Sequence, residues 1–116
     1  MSTSSQIDFA RYVVKTIQVA PSATGTPVAI SPTPLWASFI RIRAFNGATR
    51  AANAGTVFVT DKSANDDTQG YPLAPSDTLD IYLPNDGIFD LSKVFIDVAT
   101  ANDGVVVMYA QPINSI

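Results

Sequence analysis

The run from Leu35 to Phe45 limits the fold more than any other stretch of this chain. Trp36, Ile40, Ile42 and Ala44 fall on one parity, with Ser38 among them. Phe39, Arg41, Arg43 and Phe45 fall on the other. A period of two means an extended strand with one side toward an apolar core. Strands of that kind pair antiparallel and need a second layer over their apolar side. Asn46-Gly47, a dipeptide at home in tight turns, ends the run.

The same period recurs along the chain. Ile7 to Val19 holds Val13, Ile17 and Val19 on one parity with Lys15 between them. A helix competes for Ile7–Val14, but the β-branched residues that follow favour a strand. Val28 and Ile30 alternate briefly before Pro32 and Pro34, which belong to a loop or a sheet edge. Thr56 to Thr60 is a short apolar run; Leu79, Ile81 and Leu83 alternate with polar neighbours, as do Val94, Ile96 and Val98. Asp90 to Lys93 reads as a single helical turn or a bend, and Asp103-Gly104 predicts a hairpin into Val105–Ala110. All ten acids are Asp, and eight Pro and six Gly punctuate the chain, which leaves no room for long helices. At 116 residues there is material for one core. The expected fold is all-β: a small antiparallel β-sandwich or jelly-roll-like domain of about seven to eight strands. It would span residues 7–116, after a flexible N-terminal arm over residues 1–6.

The segment from Gly70 to Leu83 joins two sheet-forming halves. Pro72 and Pro75 fix φ and remove donors, so the segment is expected to be extended and unpaired, a corner between sheets. Its polar lead-in, Asp61 to Gln69, is the better place to look for contacts.

Chemistry is limited by what the sequence lacks. With no His and no Cys there is no Ser-His-Asp or Cys-His nucleophile and no good zinc or transition-metal site. Asp66-Asp67 reads as solvated loop charge; with Asp61 or Asn65 it offers the hard oxygens that calcium takes. Paired carboxylates across a cleft, as in glycosidases, are not expected in so small a domain. The expectation is therefore no enzyme, no cofactor and no metal. Seven scattered cations and a net charge of −3 argue against nucleic acid as a partner. The longest apolar runs are too short to span a membrane. The polar start, Met1 to Gln6, lacks the order of a secretory signal, which points to a soluble protein made in a cytoplasm.

Two features invite an interaction reading. Trp36 shares parity with Ile40 and Ile42, which predicts core packing; exposed, it would be an interface or sugar-stacking residue. Phe39, Arg41, Arg43 and Phe45 mix aromatic and cationic side chains on one strand face. Either the arginine stems cover a satellite apolar patch, or the face is a subunit interface. The polar arm residues Ser2, Thr3, Ser4, Ser5 and Gln6 are candidates to order on a neighbouring subunit.

The order of elements also carries a resemblance. Val57-Phe58-Val59, a polar loop, Gly70-Tyr71-Pro72-Leu73-Ala74-Pro75-Ser76-Asp77-Thr78-Leu79, then Leu91-Ser92-Lys93-Val94-Phe95-Ile96-Asp97 and Val105–Tyr109 follow one another. This resembles small β-sandwich virion proteins of tailed bacteriophages, of the capsid decoration (cement) or head-fibre type, over residues 56–110. Those proteins carry a Gly-x-Pro-Leu-x-Pro-Gly-Glu-like turn at this place. Here Ser76-Asp77 stands where Gly-Glu is usual, and Thr60-Asp61 where Gly is common. The resemblance implies a structural protein on the capsid surface that bridges major capsid protein subunits, as a homotrimer, without catalytic residues. The alternative it leaves open is a receptor- or glycan-binding module of a tail or head fibre, using Trp36, Tyr71 or Tyr82.

Overall fold

The computed structural model describes residues 12–61, 70–83 and 87–112. The expected arm, the Asp66-Asp67 pair and the start of the predicted first strand, residues 7–11, lie outside them.

The described chain is all-β, and its strands form two facing sheets around one apolar core. The elements run β1 (Tyr12–Val19), β2 (Val28–Ala29), β3 (Trp36–Ala37), β4 (Phe39–Asn46), β5 (Ala51–Ala52), β6 (Val57–Thr60), β7 (Tyr71–Leu73), β8 (Thr78–Tyr82), β9 (Phe89–Asp90), β10 (Phe95–Val98) and β11 (Val105–Pro112). A 3-10 turn, Leu91–Lys93, separates β9 from β10. The front sheet has the order β1-β11-β4, and β8 and β5 share the far edge of β4. The back sheet has the order β2-β10-β6-β7. A small ribbon, β3 with β9, stands beside them. The eleven described strands exceed the expected seven or eight because β3, β5 and β9 have only two residues each and β7, of three, lies in the segment expected to be unpaired. Such pairings leave no periodicity to read.

Alternation explains the core. Ile40, Ile42 and Ala44 of β4 face inward opposite Tyr109, Val107 and Val105 of β11. Val57 of β6, Leu73 of β7 and Ile96 and Val98 of β10 meet them from the back sheet. Val19 of β1, Ala37 of β3, and Ile30 and Leu91 from the connections complete the cluster. Lys15 has the inward parity on β1, opposite Tyr109, yet is exposed because β1 is the sheet's outer edge. A charge of that parity on an edge strand discourages pairing with another chain.

Two connections sharpen the sequence reading. The segment after Gly70 does cross between sheets: β7 pairs with β6 at the back and β8 pairs with β4 at the front. It is not unpaired, however, because Tyr71–Leu73 forms the edge strand of the back sheet. Pro72 is tolerated there, since an edge strand can turn its donor-free side outward. The corner itself is tied by Asp77, whose carboxylate accepts from Ala74 N–H at 3.0 Å while Ser76 takes φ +73°. Ala44 then bonds the corner, donating to Asp77 O and accepting from Ser76 N–H, which fills the gap between β8 and β5.

The predicted hairpin at Asp103-Gly104 is also a corner. β10 lies in the back sheet and β11 in the front, so the two strands do not pair. Buried side chains hold this turn to a different loop. Asp103 accepts from Ala54 N–H at 3.1 Å and Gly55 N–H at 2.8 Å. Asn53 embraces Gly104, donating to its carbonyl at 2.8 Å and accepting from its N–H at 3.1 Å. A Cβ at Gly104 would collide with the Val19 carbonyl oxygen, so only glycine lets β1 and this corner touch. The helical turn at Asp90 is present: Asp90 caps Leu91–Lys93 by accepting from Ser92 N–H at 2.9 Å.

Candidate functional site

The outer face of the front sheet collects the side chains that β-alternation turns away from the core. Register sets them in rows across β1, β11, β4 and β8: Val14, Ala110, Phe39 and Tyr82; Thr16, Met108, Arg41 and Asp80; Gln18, Val106, Arg43 and Thr78. All four residues singled out on the polar parity of β4, Phe39, Arg41, Arg43 and Phe45, lie on this one face. Phe39 and Phe45 are half-buried and the two arginines exposed.

Arg41 and Asp80, directly opposite in the register, form a two-pronged ion pair: Nε to Oδ1 at 2.7 Å and Nη2 to Oδ2 at 2.8 Å. The hydrogen bonds from Arg41, foremost, hold the Asp80 carboxyl below the usual carboxylate range, and Asp80 raises the Arg41 guanidinium in turn. Arg43 lies over the Phe45 ring, its guanidinium carbon 4.9 Å from the ring centre, within cation–π range.

Below these residues the face is dished into an open depression of about 390 Å³. Its apolar lining comes from Val106, Met108 and Phe45, and its cations are Arg41, Arg43 and Arg50. Arg50 is the residue that strand parity could not supply. It arrives from the β4–β5 loop, at φ +58°. Asn46 shapes that loop by accepting from Ala48 N–H and Thr49 N–H, both at 3.1 Å. Gly47 closes one end: a Cβ there would sit 2.6 Å from Gln18 Cδ. The two arginines seen as close in sequence thus become three in space.

Trp36 does not pack in the core. It is 49% exposed, whereas Ala37 and Ile40 are fully buried. The parity slips at Ser38, where the chain bends: its N–H donates to Ala110 O at 3.0 Å and its carbonyl accepts from Leu83 N–H at 3.4 Å. Trp36 belongs to the separate β3–β9 ribbon and turns outward there. Tyr71 and Tyr82 are also exposed, but on opposite sheets, so the three aromatics are not one platform.

The acids divide among structural tasks. Asp77, Asp90 and Asp103 satisfy backbone donors. Asp97 is buried, with Oδ1 accepting from Gly25 N–H and Val98 N–H, while Oδ2 has no donor among the described residues. No group of three or more acidic side chains able to hold a metal occurs among the described residues. No protein family and no curated protein matches the sequence.

Proposed function

We propose that this chain is a structural virion protein that decorates the outside of a bacteriophage capsid, docking through the front-sheet face. The observation that carries the reading is that face: half-buried Phe39 and Phe45, exposed Arg41 and Arg43, and a largely apolar depression on the sheet. Aromatic residues and arginine enrich protein interfaces. The resemblance of residues 56–110 to phage decoration proteins supplies the partner, the major capsid protein, and the expectation of a homotrimer. The function needs a rigid body and a contact surface, not a reacting group.

The test is co-sedimentation with capsids of the virus that encodes the chain, alongside light scattering for mass in solution. The wild-type chain is expected to sediment with capsids and to raise their heat resistance; Phe39→Ser/Phe45→Ser is expected to do neither. Wild-type protein that stays in the supernatant overturns the reading. Deleting residues 1–6 separately measures the arm's share.

A second reading rests on the exposure of Trp36, Tyr71 and Tyr82, at 49%, 59% and 70%. Flat exposed aromatics stack on sugars, which makes the chain a receptor- or glycan-binding module of a phage fibre. Glycan-array binding lost in Trp36→Ala would favour this reading over decoration.

A further inference from the structure

We infer that the depression between β11, β4 and the β4–β5 loop binds an extended acidic segment of a partner protein, one carrying an Asp or Glu carboxylate beside an apolar side chain. The inference rests on reading this face as a docking surface and adds the chemistry of what docks there.

Charge complementarity carries it. The chain has a net charge of −3, yet three of its seven cations converge on this one depression. Arg41 is already neutralised by Asp80. Arg43 and Arg50 have no carboxylate within ion-pair distance among the described residues. They flank a lining of Val106, Met108 and Phe45, which gives an apolar side chain somewhere to rest. The Phe45 ring under Arg43 holds the guanidinium plane in place, so less freedom is lost when a carboxylate binds. Arginine presents two parallel donors that match a carboxylate. A neutral apolar segment would leave the arginines unused, and a basic one would be repelled.

The experiment titrates the 15N-labelled full chain with acetyl-Glu-Leu-Glu-amide, with acetyl-Gln-Leu-Gln-amide as the neutral control. The acidic peptide is expected to shift the amides of Gln18, Arg43, Gly47 and Met108. The shifts should fade between about 20 mM and about 300 mM salt, because exposed pairs are screened. Arg43→Gln/Arg50→Gln should bind about tenfold more weakly, the loss of two exposed pairs, while Arg43→Lys/Arg50→Lys, which keeps the charge but not the two-pronged fork, should fall between wild type and the Gln variant. Equal shifts from the neutral peptide, no shifts at these four amides, or a Gln variant that binds like wild type would overturn the inference. So would 3′-sialyllactose shifting the same amides more strongly than the acidic peptide, which would give the groove to an acidic glycan. Capsid co-sedimentation separates this from the broader reading. A Gln variant that loses the peptide but still sediments leaves decoration standing and removes the groove from it. Peptide binding without sedimentation leaves the groove standing alone.

Discussion

Asn53→Ala should be among the most damaging single changes in a loop of this protein. Asn53 is 6% exposed and makes both of its bonds to one residue, Gly104, at 2.8 and 3.1 Å. Truncation strands the two backbone groups unequally. The Gly104 carbonyl keeps Phe45 N–H at 3.1 Å, but the buried Gly104 N–H loses the bond it makes to Asn53. Two lost hydrogen bonds at about 1 kcal/mol each, plus about 1 kcal/mol for the stranded donor, give about 3 kcal/mol. For a domain of this size that is a fall in Tm of about 12 °C. Urea unfolding followed by circular dichroism would read it as a lower midpoint at unchanged slope. Asn53→Asp should lose less at low pH, where a neutral carboxyl can still both donate and accept, and more as it ionises. A cost below about 0.5 kcal/mol for Asn53→Ala, the range of ordinary surface changes, would refute the view that this side chain pins the corner.

Ile42→Ala removes a fully buried side chain between β11 and β8 and should cost about 3–4 kcal/mol, measured by the same urea midpoints. Asp97→Asn keeps an acceptor for Gly25 N–H and Val98 N–H, so it should cost less than Asp97→Ala by at least about 1 kcal/mol. Asp80 sits below its ordinary pKa because Arg41 bonds its charged form. Its contribution is therefore complete above the usual carboxylate range and is lost as pH falls through the lowered value. Arg41→Gln should flatten that part of the acid-unfolding profile, with little change at neutral pH in high salt. Trp36 fluorescence should be red-shifted and readily quenched by iodide in the folded chain; a blue-shifted, shielded emission would contradict its outward setting.

Fold class was legible because most of the long strands carry an unbroken period of two. Ile40-Arg41-Ile42-Arg43-Ala44 shows both faces of β4 directly, and Leu79 and Ile81 do the same for β8. Trp36 was misplaced for a definite reason: parity propagates only through a continuous strand, and the bend at Ser38 breaks it. Asp103-Gly104 fits a hairpin and a sheet-to-sheet corner equally well, because local turn chemistry does not say which strand the next segment will meet. The choice is made by Asn53 and by Ala54 and Gly55 N–H, about fifty residues earlier in the chain. Arg50 joins Arg41 and Arg43 through a loop whose shape depends on Asn46 and on a left-handed residue. No spacing rule brings it there. The half of the site that lies on β4 could be read from the sequence; the half on the loop could not.

The place of β11 has a consequence for how the chain is made. β11 follows all the other described strands in the sequence, yet it lies between β1 and β4 in the front sheet. Until it leaves the ribosome, the earlier strands have an open slot: β1 lacks its strand partner among the described residues, and β4 one whole side. Both would then offer eight-residue edges with unsatisfied backbone groups, the kind that recruit foreign strands. Insertion of β11 closes both edges at once. A chain that stalls or is cut after Gly104 therefore becomes a strand acceptor rather than a slightly weaker sandwich. A supplied peptide of residues 105–112 is the natural piece to rescue it.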